Sequence, residues 1–122
     1  KEGLMTVWYE NGQKQKEGNW RDGKRDGLDT TWYKNGQKKW EGSYKDGKPH
    51  GLLTHWYPNG QKEWEANNKN GKKDGLTIHW DENGQKKWEG NWKDGKRDGL
   101  QVFYMDDGRV GRTTYKDGEI VD

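Results

Sequence analysis

Residues 27–50 read Gly-Leu-Asp-Thr-Thr-Trp-Tyr-Lys-Asn-Gly-Gln-Lys-Lys-Trp-Glu-Gly-Ser-Tyr-Lys-Asp-Gly-Lys-Pro-His. Leu28, Thr30 and Trp32 alternate with Asp29, Thr31 and Tyr33, the period of two that marks a half-buried strand. A second alternating run sets Lys38, Trp40, Gly42 and Tyr44 against Lys39, Glu41 and Ser43. Asn35-Gly36 between the two runs is a strong hairpin signal. No stretch has a helical period, and 19 Gly residues are too many for helices. The segment reads as two strands and two turns.

The same segment recurs. Gly-Leu stands at Gly3-Leu4, Gly27-Leu28, Gly51-Leu52, Gly75-Leu76 and Gly99-Leu100, always 24 residues apart. A fixed period in this range marks units that bury their apolar surface by stacking on one another. We therefore expect one repeat domain over residues 1–122, with units at about 3–26, 27–50, 51–74, 75–98 and 99–122. The expected fold is all-β, a single-layer antiparallel β-meander of 24-residue β-hairpin repeats. Strands are predicted near residues 4–9, 13–20, 28–33, 37–44, 52–57, 61–68, 76–80, 85–92 and 100–105.

Pro58 in Pro58-Asn59-Gly60 suits the second position of a type I turn, which favours a three-residue loop over a two-residue one. That loop sets Trp32 opposite Lys38 and predicts Leu28, Trp32, Trp40, Gly42 and Tyr44 on one face. Residues 22–27, 46–51, 70–75 and 94–99, with their paired Gly steps, are predicted to be compact reversals. Trp8, Trp32, Trp56, Trp80 and Tyr104 form one column, and the five Leu of the Gly-Leu pairs form another. Both read as core. Trp40, Trp64 and Trp88 make a third column, replaced by Lys16 at one end and Arg112 at the other. Gly18, Gly42, Ala66 and Gly90 make a column of small residues across which an aromatic ring is expected to lie. In the last unit Asp117-Gly118 comes one residue early, as an end cap or decayed repeat would.

A hydrophobic fraction of 25% against 36% charged residues leans toward disorder. The 13% aromatic fraction, nine Trp included, opposes it. Each Trp buries on the order of 200 Å². The 23 basic and 21 acidic residues are interspersed, so the chain lacks the one-sided field that nucleic acid or an anionic membrane requires. Without Cys there is neither a disulfide framework nor a Cys-based metal site. No apolar run approaches membrane-spanning length and no signal peptide is legible. The chain starts at Lys1 inside a repeat, which suggests a mature product or a fragment and leaves the compartment open.

Trp40-Glu41-Gly42-Ser43-Tyr44-Lys45-Asp46-Gly47-Lys48-Pro49-His50-Gly51 resembles a MORN repeat, whose signature is aromatic-x-Gly-x-aromatic-x-x-Gly-Lys-x-His-Gly. Residues 88–99 are similar, with Asp98 where that signature has His. Together with the Asn-Gly-Gln-Lys turn, these features resemble the bacterial MORN-variant family, some of whose members are classed as YwqK-type antitoxins. The resemblance implies an elongated, twisted single-layer meander used for protein–protein contact.

His50, His55 and His79 could suggest a metal set. However, His55 and His79 occupy one position in adjacent repeats, roughly 10 Å apart, too far to share an ion. Asp22, Asp26, Asp46, Asp94 and Asp98 sit before turn glycines beside lysines, an arrangement that repels calcium. No nucleophile–base pair or phosphate loop is legible, so no enzyme activity, catalytic residue, small-molecule substrate, cofactor or metal is expected.

The expected function is a protein-interaction module, an antitoxin, immunity or scaffold protein with a protein partner. The alternatives are a carbohydrate- or cell-surface-binding array and a structural spacer. The predicted binding residues are Trp40, Trp64 and Trp88, because a single-layer sheet has nothing to cover them. An alternative binding face, on the other side, is expected around Tyr33, His55, Tyr57 and His79. Trp8, Trp32, Trp56, Trp80, Gly18, Gly42 and Gly90 are expected to be structural.

Overall fold

The computed structural model describes residues 2–121, and all its regular elements are strands. They are β1 (Gly3–Trp8), β2 (Lys14–Arg21), β3 (Lys24–Trp32), β4 (Lys38–Lys45), β5 (Lys48–Trp56) and β6 (Lys62–Lys69). There follow β7 (Lys72–Trp80), β8 (Lys86–Lys93), β9 (Lys96–Tyr104), β10 (Val110–Lys116) and β11 (Glu119–Ile120). Each strand pairs with its chain neighbours in one open sheet whose order follows the sequence. All the pairings are antiparallel. The sheet is the expected β-meander, extended by β10 and β11, which the predicted strands did not include.

The Asn-Gly turns have the three-residue form. Tyr33 N–H donates to Gln37 O at 2.9 Å, Gly36 N–H donates to Tyr33 O at 3.0 Å, and Gly36 has φ 87°. Asn35 Oδ1 accepts from Gln37 N at 2.9 Å, while its Nδ2 donates to Pro58 O in the next repeat at 2.9 Å. Asp could accept there but not donate. The last turn carries Asp107, whose Oδ1 accepts from Arg109 N at 3.0 Å. Asn35→Asp is thus expected to lose the link between repeats and about 0.5–1.5 kcal/mol in urea unfolding. Asp107→Asn is expected to leave stability unchanged.

The opposite edge corrects the sequence reading. Asp46 and Gly47 have φ 51° and 81°, the two positive values of a type I′ turn, and Lys45 pairs with Lys48 across it. The reversal therefore takes two residues, not six, and β3, β5, β7 and β9 start four residues early. Gly51, φ 93°, lies instead in a wide bulge, where Ser43 alone faces residues 50–52. Gly47 N–H donates to Arg25 O at 2.9 Å, so this edge too is tied from repeat to repeat.

A second bulge corrects the shared face. Trp32 pairs with Lys38 as expected, but Thr31 pairs with Trp40, leaving Lys39 extra. One extra residue inverts every side chain beyond it. Trp40, Gly42 and Tyr44 therefore face away from Leu28 and Trp32. The bulge recurs at Gln15, Glu63 and Lys87 but is missing between β9 and β10, where Phe103 pairs with Gly111 and Val102 with Arg112. That missing residue explains the early Asp117-Gly118. It also places Gly111, not Arg112, at the end of the third Trp column.

On the first face Lys14, Lys38 and Lys62 lie 5.7, 5.8 and 5.9 Å over the rings of Trp32, Trp56 and Trp80, each in the next repeat. The same lysines pair with Glu17, Glu41 and Glu65 at 2.9, 2.9 and 2.7 Å. Lys14 and then the Thr6 hydroxyl hold the Glu17 carboxyl below its usual range. Thr30 and Thr54 are buried between the columns. The Leu column is not core: its members are 40–61% exposed. Leu lies beyond the Thr row, at the level where the wide bulges open the sheet, and no second layer covers it.

Candidate functional site: a grooved aromatic face

On the second face one row crosses the sheet strand by strand. Lys16 pairs with Thr31, Thr31 with Trp40, Trp40 with His55, His55 with Trp64, Trp64 with His79, His79 with Trp88 and Trp88 with Phe103. The predicted Trp40, Trp64 and Trp88 stand together in this row, half-buried. The imidazole of His55 stacks on Trp64 with centroids 5.8 Å apart and planes at 7°. His79 stacks on Trp88 at 6.1 Å and 2°. His55 and His79 therefore do not belong to an opposite binding face. They complete the Trp column.

Tyr33 and Tyr57 line the Asn-Gly edge of the sheet. Tyr33 Oη donates to Trp56 O at 2.6 Å and Tyr57 Oη to Trp80 O at 2.8 Å, locking successive repeats. Burial first, and then the Glu63 carboxylate, raise both phenol pKa values. Glu63, the bulged residue, also brings Oε1 to 2.7 Å from His55 Nδ1, without the alignment of a hydrogen bond. His50, near the other edge, accepts weakly from Asn70 N at 3.5 Å.

A second row runs parallel to the first and forms the floor. It contains Gly18 beside Asp29, Gly42 beside Leu53, Ala66 beside Thr77 and Gly90 beside Gln101. The small residues make room for these neighbours and, at Gly42, also for the expected aromatic ring, the edge of Trp40, whose Cζ3 a Cβ would meet at 3.1 Å. A Cβ at Gly42 would lie 1.8 Å from Leu53 Cδ2, and one at Gly90 1.8 Å from Gln101 Oε1. Asp29 is 9% exposed, and burial raises its carboxyl pKa despite the nearby Arg25 and Lys16 charges.

A third row makes the other wall, and sequence reasoning did not single it out. Arg25 lies 5.8 Å over Trp20 and 5.2 Å over Tyr44, and Arg97 lies 5.6 Å over Trp92 and 5.3 Å over Tyr115. Its signals were the aromatics Trp20, Tyr44 and Trp92, in register with the 24-residue period but interrupted by Asn68, and the second aromatic of the MORN signature. The cations come from the opposite arm of each wide bulge, a pairing that needs the register. Between the walls lie two hollows, of about 240 Å³ around Asp29 and about 290 Å³ around Thr77. Leu53 stands between them. The buried side-chain polar atoms without a hydrogen-bond partner among the described residues are His55 Nδ1, Thr77 Oγ1, His79 Nδ1 and Trp92 Nε1. All belong to this face.

An open meander of hairpin repeats with a troughed aromatic face defines a stacked β-repeat array. The MORN repeat family matches residues 17–38, 40–62 and 88–108, more than half of the chain, and the MORN repeat variant matches residues 1–22 and 73–94. The chain belongs to the MORN repeat family. This is a non-enzymatic all-β repeat type whose arrays are commonly interaction or binding modules. No curated protein matches the chain.

Proposed function

We propose that this chain is a protein-interaction module that receives an extended segment of a protein partner along the face of Trp40, Trp64 and Trp88, in an antitoxin, immunity or scaffold role. The observation that carries the reading is the gathering of three buried polar atoms without partners, Thr77 Oγ1, His79 Nδ1 and Trp92 Nε1, and of both hollows between two aromatic walls on one face. Aromatic anchors flanked by unsatisfied polar groups are what a polypeptide, with its own donors and acceptors, complements. Trp64 and Trp88 each have one ring face against a histidine. Those stacks leave a sugar at most one face of each ring, whereas a polypeptide uses ring edges and polar groups as well, so the polypeptide is favoured over a carbohydrate.

The test is affinity capture from native lysate with mass spectrometry, followed by NMR of the indole N–H signals with the identified partner. Signals of Trp40, Trp64 and Trp88 are expected to move, and those of Trp8, Trp32 and Trp56 to stay. The reverse pattern would transfer binding to the other face. With 23 basic and 21 acidic residues interspersed, affinity is expected to fall by less than about fivefold between low and high salt.

A further inference from the structure

The floor positions act as internal templates for one another. At three junctions between repeats a longer side chain lies over the small residue: Asp29 over Gly18, beside the hollow of about 240 Å³, Leu53 over Gly42 and Gln101 over Gly90. The fourth has the short Thr77 beside Ala66, and there a cavity of about 290 Å³ remains, lined by Trp64, Ala66, Lys73, Thr77, His79 and Trp88. Thr77 is 4% exposed, yet its Oγ1 has no hydrogen-bond partner, and neither does His79 Nδ1. Lys73 directs its ammonium over the Trp92 ring at 4.5 Å. No carboxylate of the described residues lies within ion-pair distance of it.

The junction of the first two repeats shows what completes such a site. Arg25 occupies the place of Lys73, and Asp29, in the place of Thr77, lies 3.4 Å from Arg25 Nε. The Thr77 junction keeps the cation and the space and lacks the carboxylate. A lysine ammonium, a threonine hydroxyl and an imidazole nitrogen can all donate, and the three side chains line one cavity of about 290 Å³. We propose that the Thr77 pocket takes an acidic side chain, Glu or Asp, of a bound polypeptide. A side chain is the fitting occupant because side chains of the chain itself lie over the small residue at the three sister positions, and at one of them a carboxylate pairs with the cation. The proposal rests on the reading of this face as the partner-binding one, but its test needs no partner.

The experiment titrates the full chain, labelled with ¹⁵N, with N-acetylglutamate amide, N-acetylglutamine amide, N-acetylleucine amide and acetate. The ceiling is about 50 mM, above the millimolar affinity expected of one side chain. The glutamate probe is expected to shift the Thr77 amide and the Trp64 and Trp88 indoles. It should bind about tenfold more tightly than the glutamine probe, the weight of one charge-assisted contact. Lys73→Met, at an exposed position, should erase that preference, and Thr77→Asp should pair with Lys73 as Asp29 does with Arg25 and abolish the shifts.

No shift at the ceiling would mean that water suffices, and would overturn the proposal. Equal binding of the glutamine or leucine probe would do the same. Acetate acting as strongly as the glutamate probe would assign the pocket to small free acids, against the proposal. Failure of the unaltered chain to capture any partner, with these shifts present, would instead count against the interaction reading alone.

Discussion

Replacing Trp40, Trp64 and Trp88 together by Ser is expected to lower partner affinity by at least about a hundredfold while the far-UV β-signal persists. Aromatic hot-spot residues contribute about 2 kcal/mol or more each, and each 1.4 kcal/mol is a factor of ten, so the estimate allows for strong non-additivity. The change also removes two ring stacks, His55 on Trp64 and His79 on Trp88, each contributing about 0.5–1.5 kcal/mol. The β-ladder and its edge links pass through backbone, Asn and Tyr groups, which the substitutions leave in place. The matched control is Leu28, Leu52 and Leu76 to Ser on the opposite, exposed column, expected to leave capture unchanged. If the Trp variant unfolds, the row is core, and binding must be sought on that Leu column. If it folds and still captures the partner, the assigned face is wrong.

The second large effect concerns stability. From the sequence alone, Trp56→Ala in the central unit is expected to cost about 3–5 kcal/mol, as large core aromatics do, and Trp8→Ala less. The structure lowers the first figure, because Trp56 is only half-buried. Its loss comprises about 100 Å² of burial, near 2.5 kcal/mol, and the Lys38 ammonium over the ring, near 0.5–1 kcal/mol. We expect about 3 kcal/mol by urea denaturation. Trp8 is 58% exposed and has no lysine over its ring among the described contacts. About 1 kcal/mol is expected there. Equal losses would indicate a closed globular core, in conflict with an array whose units touch only their neighbours.

Much of the site was legible in the sequence, and the part that was not depended on register. Periodicity alone identified Trp40, Trp64 and Trp88 as a column. It missed His55 and His79 as members of the same row, because the extra residues at Lys39, Glu63 and Lys87 exchange the two faces. A bulge costs little locally and leaves no composition mark: Lys39 in Gln-Lys-Lys-Trp reads like any exposed strand residue. The Leu column misled for a related reason. A recurring Leu marks the repeat, but its burial depends on what lies above the sheet, and in a single layer nothing does.

By itself the sequence determined the period of 24, the all-β class, the antiparallel meander and the three-residue turn, whose Pro58-Asn59-Gly60 chemistry allows few geometries. These are local properties, decided by φ preferences and alternation within a few residues. The tertiary structure decided which face each column occupies, the two-residue Asp-Gly turns with their wide bulges, and the pocket at Thr77. Those depend on which residue stands opposite which. Opposition between strands is a property of pairs, and one inserted residue inverts it.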